Sequence, residues 1–308
     1  MLKLEIVIDI FSGRKNPVIE LKGDEAAETL ERLKPSRKLK KDDLVPPPTS
    51  TLGYRGLIIK QTGNKSKDLP TSFRLVNGDL FGPRLSHRAT DENYEDFFCS
   101  TKGPIRKIDL RKNFPGFVRK EIKRFHQLRE EYKVKPIRWP SRILCECAPL
   151  YEPQWWNDGG QKQLNNNCYN YSTNYRTDTF AQPGQAAGID ISNSYYCPTV
   201  RPAAVADDLI DKPNAHNKCS KEGHLVTLVV APGIDYHWYR KVRNGHWTHK
   251  PGGAQLNSNP LPTSTYVASI EPGTLKELWR TVLLNINLTC VDLNSEYNLW
   301  FGNVNRVM

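Results

Sequence analysis

A single cysteine follows three asparagines in the run Asn165-Asn166-Asn167-Cys168-Tyr169. Structural cysteines are usually buried among aliphatic neighbours, whereas this one lies in a polar, turn-prone segment. An asparagine at a helix N-cap would put the sulfur at the positive end of a short helix. Free backbone N–H groups and the helix dipole there lower the pKa of a thiol. Cys168 is therefore a candidate nucleophile.

Histidines follow this cysteine in a block of strands. His224 precedes the apolar run 225–231, which has the length and valine content of a central strand. In the next strand, Asp235, His237 and Tyr239 alternate onto one face. Two such strands can hold an imidazole in one tautomer, which a cysteine nucleophile requires of its base.

Amide side chains close to the cysteine extend the same hypothesis. Gln161, Gln163 and Asn165 are each a possible oxyanion-hole donor, because such a donor must lie beside the nucleophile. The alternative interpretation of this run is a polar loop that carries a half-buried cysteine.

Two other function classes compete with a thiol enzyme. One is a metal site, whose ligands could be His237, His246, His249 and Cys219 if these side chains converge. The spacing of these four residues matches no known zinc site. The other is a non-catalytic binding or effector module, since the aromatic residues of 151–180 and 236–247 would suit a sugar- or peptide-binding groove. Phosphate-cradling glycine loops and a serine nucleophile elbow are absent from the sequence. We expect no cofactor and no resident metal.

The charge distribution predicts two units with different roles. Residues 1–140 contain 30 Lys and Arg against 19 Asp and Glu, whereas residues 141–308 contain 14 of each. We predict a small basic α+β domain over 1–86, a basic helical connector over 87–140, and a second α+β domain over 141–308. The connector helix has a basic face that could contact a polyanion, formed by Arg119, Lys120, Lys123, Arg124 and Arg129.

Local patterns predict the elements of these units. Residues 4–10 alternate as a strand, Asp24 caps a helix that runs to about Leu33, and 73–81 fold as a hairpin at Asn77-Gly78. In the second unit we expect strands at 225–231 and 235–240, a helix at 275–284 and a last strand at 291–301.

The cellular compartment is predicted from the cysteines and the chain start. Seven cysteines would all be free thiols in a reducing cytosol, whereas export would allow six to pair. No run of 18 apolar residues indicates a membrane span, and the chain opens as a strand rather than an apolar leader. We therefore predict a soluble cytoplasmic protein by default, with export by another route left open.

The order of these residues resembles the papain-like cysteine peptidase superfamily, and its bacterial cell-wall amidase branch in layout. The resemblance covers roughly residues 155–255: a cysteine at a short helix, a strand-leading histidine, and a polar residue 11 to 13 positions later. It implies a cysteine-bearing helix packed on an antiparallel sheet. It also implies Cys168 as nucleophile, His224 as base, and His237 or Asp235 as the group that orients the base.

The activity implied by this resemblance is hydrolysis or transfer at an amide bond, through a thioester at Cys168. The substrate would be a peptide or another molecule with an amide. A degenerate papain-like domain that only binds is the alternative.

Overall fold

The computed structural model describes residues 1–40, 53–108, 114–132, 144–158, 160–211, 221, 223–231, 233–245, 247–252, 268–270 and 300–304. Only the backbone is described for 124–132, 231, 268–270 and 300–304. The fold is α+β, as predicted, with two antiparallel sheets and short helices. Within the described residues, none of the helices combines the length and the apolar character that a membrane crossing needs.

The first sheet has the strand order β2-β1-β4-β5-β6-β7-β3. Its strands are β1 (Leu2–Asp9), β2 (Val18–Lys22), β3 (Pro35–Lys38), β4 (Gly56–Gly63), β5 (Ser72–Val76), β6 (Asp79–Gly82) and β7 (Leu85–Ala89). The alternation of side chains along β1 stabilises this strand, because Leu4, Ile6 and Ile8 all point into one core and are fully buried. The predicted hairpin joins β5 to β6, where Asn77 and Gly78 both adopt the positive φ of a tight turn.

The helices lie between the strands along the chain. They are α1 (Asp24–Arg32), α2 (Tyr94–Phe98), a 3-10 turn (Pro104–Lys107), α3 (Phe114–Tyr132), α4 (Pro153–Trp156), α5 (Gln161–Leu164), α6 (Cys168–Thr173) and α7 (Cys197–Ala206). The N-cap of α1 is Gly23, without a side-chain cap bond, and Asp24 begins the helix itself.

The first unit is larger than its predicted range of 1–86. The predicted boundary at residue 86 falls inside β7. The core of the first sheet also extends into the predicted connector, through Phe98, Ile105, Val118 and Ile122. These apolar side chains needed a partner surface, which the first sheet provides.

The basic face predicted for α3 is described only in part. Arg119, Lys120 and Lys123 are exposed, and Arg119 donates to the carbonyl of Cys99 at 2.7 Å. The side chains of Arg124 and Arg129 lie outside the described residues. Polyanion binding by this face stays a prediction.

The second sheet has the strand order β12-β11-β10-β9-β13-β8. Its strands are β8 (Leu209–Asp211), β9 (His224–Ala231), β10 (Asp235–Lys241), β11 (Trp247–His249), β12 (Ala268–Ile270) and β13 (Trp300–Val304). The strands predicted at 225–231 and 235–240 therefore form, and they pair with Trp238 opposite Leu228. The helix predicted at 275–284 and most of the strand at 291–301 lie outside the described residues.

The short helix α6 packs on β9 and β10. Cys168 and Tyr169 share a core with Leu228, Tyr236 and Trp238, and the rings of Tyr169 and Trp238 are 5.5 Å apart. This packing positions the predicted nucleophile against the sheet.

The buried Arg240 of β10 secures the other end of α6. Its guanidinium donates to the Tyr171 carbonyl at 2.9 Å and to the Asn174 side chain at 2.6 Å. It also lies 3.8 Å from the centre of the Tyr171 ring.

Candidate functional site

The asparagine run builds the start of α6 as predicted. Asn167 is the N-cap, and its side-chain oxygen accepts from the backbone N–H of Tyr169 and Asn170 at 3.0 and 3.1 Å. The Asn170 side chain in turn accepts from the Asn167 N–H at 3.1 Å, which completes a capping box. The cap therefore uses helix N–H groups that could otherwise have stabilised a thiolate.

Cys168 is the first residue of α6, and its side chain is fully buried and free of disulfide bonding. Burial raises the pKa of its thiol, and the charge of Asp235 raises it further, although the Trp238 N–H bonds to the sulfur. The prediction of a lowered pKa is therefore wrong, because six helical residues supply a weak dipole against complete desolvation.

His224, the predicted base, meets α6 at its opposite end. Its Nε2 lies 2.6 Å from the carbonyl oxygen of Ser172, four residues after Cys168. The sulfur lies at the Trp238 amide, opposite Leu228. Leu228 and His224 are four positions apart in β9, which is roughly 13 Å of strand. The structure therefore does not bring the predicted nucleophile and base together.

His237 was predicted to orient the base, and it pairs with another histidine. Its Nε2 lies 2.6 Å from Nδ1 of His249, and its ring stands edge-on to Tyr239 at 4.7 Å. Burial first, and then the neighbouring His249, hold the pKa of His237 well below its usual range. The pair is a buried contact between β10 and β11.

Asp235, the alternative orienting group, faces the first unit. Its carboxylate accepts from the backbone N–H of Ser12 at 2.6 Å and from those of Gly13 and Arg14 at 3.2 Å. Burial raises its pKa to about 6, although these N–H groups favour the ionised form. Its hydrogen bonds are therefore made to a distant turn and not to an imidazole.

Two of the three oxyanion candidates bond to each other. The Asn165 amide donates to Oε1 of Gln161 at 3.0 Å on the protein surface. Gln163 is buried, and its backbone carbonyl accepts from the ammonium of Lys250 at 2.8 Å.

Lys250 was not predicted from the sequence to be part of this site. It is completely buried, and its ammonium donates to the carbonyls of Gln163, Asn166 and Gly252. Burial lowers its pKa to about 7. Lys250 thus connects the segment that follows β11 to the asparagine run before α6, which is a structural role. A charged residue beside Pro251-Gly252 was the only signal in the sequence.

The metal alternative finds no support within the described ranges. In that part of the chain, no three His, Cys, Asp or Glu side chains are grouped so that they could hold a metal ion. His246 and Cys219, two of the four proposed ligands, lie outside it.

The buried His224 predicts a specific acid sensitivity. Burial lowers its pKa from 6.5 to about 4, so the folded state binds fewer protons than the unfolded state between these values. The stability that neutral His224 contributes is complete above pH 6.5. As the pH falls to 4, the free energy of unfolding decreases by roughly 3 kcal/mol.

Replacing His224 by glutamine keeps an N–H donor for the Ser172 carbonyl and removes the titration. Urea unfolding at several pH values should show wild type losing more stability than H224Q below pH 6.5. His237 and Asp235 titrate in both proteins and cancel in the difference. Parallel curves for the two proteins would contradict the assignment.

The cysteines at described positions fall into two classes. Cys145 and Cys197 are disulfide-bonded, whereas Cys99, Cys147 and Cys168 are free. Of the three free thiols in the described part of the chain, only that of Cys147 is exposed. The described residues thus include disulfide-bonded cysteines, two buried thiols and one exposed thiol.

Comparison with known proteins identifies one relationship. No family model matches the chain, and no solved structure matches it. A shell protein of Ruditapes philippinarum, insoluble matrix shell protein 1, is 40% identical over 117 residues, which are 36% of this chain and 72% of that protein. The chain therefore belongs to the family of insoluble matrix shell protein 1.

Proposed function

We propose that this chain is a non-catalytic component of an extracellular matrix. The observation that carries the proposal is its 40% identity to insoluble matrix shell protein 1 over 72% of that protein. A matrix component needs a stable fold and contact surfaces rather than a reactive group.

The disulfide-bonded Cys145 and Cys197 support an extracellular location. Disulfides persist in oxidising compartments and are rare in the cytosol, where thiols are kept reduced. This observation favours export over the cytoplasmic location predicted by default.

The environment of Cys168 supports a non-catalytic role. A thiol nucleophile needs access to its substrate and a base within hydrogen-bond reach. Cys168 is fully buried with a raised pKa, and His224 bonds to the Ser172 carbonyl instead. An amide hydrolase would require both residues to rearrange. The papain-like resemblance stays a prediction about ancestry and fold.

Fractionation of the source tissue tests the proposal. An antibody raised against the chain should detect the protein in the extracellular matrix fraction, with lower mobility in gels after reduction because the disulfides open. An antibody against a cytosolic marker gives the matched control for leakage. Recovery of the chain only with that marker, and with all its thiols free, would refute the proposal.

A further inference from the structure

Hydrogen bonds within the first unit hold one of its loops in a defined conformation. Between β1 and β2, the Asn16 side chain accepts from the N–H of Ile10 and Phe11 at 3.0 and 2.7 Å, and donates to Asp9 at 3.1 Å. Arg55 adds a donor to the Phe11 carbonyl at 2.6 Å. These bonds present the next three residues, Ser12–Arg14, as a fixed turn.

The second unit binds the N–H groups of this turn with one carboxylate. Asp235 accepts from all three successive amides, at 2.6 Å for Ser12 and 3.2 Å for Gly13 and Arg14. Three convergent backbone N–H groups form an anion-binding concavity, and Asp235 fills it. The contact recognises the backbone conformation and not a side chain.

The carbonyl of the same turn is bound by amide side chains. The Gly13 oxygen accepts from Nδ2 of Asn167 and from Nε2 of Gln182, both at 3.0 Å. The Tyr236 hydroxyl lies 3.1 Å from this oxygen and 2.9 Å from Oε1 of Gln182. Asn167 is held in place by the cap of α6, so one of these donors is fixed before the turn binds.

The site admits only glycine at the centre of the turn. A Cβ on Gly13 would lie 2.5 Å from a ring carbon of Tyr236 and 2.6 Å from the backbone oxygen of that residue. Tyr236 is fully packed in the core and its backbone belongs to β10, so neither group can move cheaply.

The residue after the glycine is also recognised. The guanidinium of Arg14 donates to the Ile234 carbonyl at 3.0 Å and lies 4.8 Å from the centre of the Tyr195 ring. Stacking on an aromatic face together with a carbonyl acceptor favours arginine at this position.

We propose that the second unit carries a recognition site for a glycine-centred peptide turn of the type Ser-Gly-Arg, and that the chain's own first unit occupies it. In the second unit, the groups that bind residues 12–14 all lie within residues 167–236. The first unit adds the Arg55 guanidinium, 3.4 Å from the Ser12 hydroxyl, and the Phe11 ring, 4.5 Å from the Arg14 guanidinium. The site is a complete peptide receptor whose ligand is supplied within the same chain.

A full-length Gly13→Val variant tests the proposal, because the added side chain ejects the turn from the site. The probe is the fluorescent peptide acetyl-Ile-Phe-Ser-Gly-Arg-Lys-amide, measured by fluorescence anisotropy. It should bind G13V at least tenfold more tightly than wild type, whose site is filled. The same peptide with alanine for glycine, and the double variant G13V/D235N, should each lose this binding. Equal binding of the probe to wild type and G13V, or to G13V and the double variant, would overturn the proposal.

Amide hydrogen exchange on the full-length D235N variant provides a second measurement that does not depend on the folding of G13V. The amides of Ser12, Gly13 and Arg14 should lose at least tenfold in protection, while those of β1 keep theirs. Unchanged protection of the three amides would contradict the receptor assignment.

Discussion

Replacing Asp9 by asparagine is expected to lower the free energy of unfolding by about 3–5 kcal/mol. The Asp9 carboxylate is 1% exposed and lies 2.8 Å from a guanidinium nitrogen of both Arg55 and Arg74. Burial raises its pKa, but the two arginines more than offset this, and the pKa lies below its ordinary value. Without the anion, two largely buried guanidinium groups lose their countercharge.

Chemical denaturation of purified protein measures this effect, and β1 offers a matched control. Glu5 lies 2.8 Å from Lys60, and both side chains are more than a third exposed. Glu5→Gln should change the free energy of unfolding by only about 0–1 kcal/mol. Similar losses in D9N and E5Q would show that the buried triad has no special role.

The sequence predicted the elements whose signals are local. Alternation at Leu4, Ile6 and Ile8 and the Asn77-Gly78 turn lie within a few residues, and both formed as expected. The N-cap at Asn167 is local in the same way. Such patterns depend on backbone preferences that tertiary contacts reinforce here.

The candidate site could not be predicted because its contacts are distant in sequence. Asp235 bonds to Gly13, 222 residues away, so no spacing rule could have assigned its partner. The polar residues around Cys168 suggested that it is exposed. The adjacent Asn167 side chain, however, bonds to the N–H groups of the helix cap and to the Gly13 carbonyl. The resemblance implied a cysteine-bearing helix on an antiparallel sheet, but not that the packing of α6 on β9 and β10 buries the thiol completely.

The free thiols are expected to differ greatly in reactivity. Alkylation requires an accessible thiolate, so Cys147, which is exposed, should react directly. Cys168 is fully buried with a raised pKa, and it can react only when the fold opens. An opening free energy of at least roughly 4 kcal/mol would slow its alkylation about a thousand-fold. Cys99 is a matched control, since it is buried and its pKa is raised to about 12.

Mass-spectrometric mapping of iodoacetamide adducts on the native protein near neutral pH tests the central claim that Cys168 is a structural thiol. We predict rapid modification of Cys147, and modification of Cys168 and Cys99 together only after denaturant is added. Modification of Cys168 before Cys147 in the native protein would reveal an activated nucleophile and contradict this account.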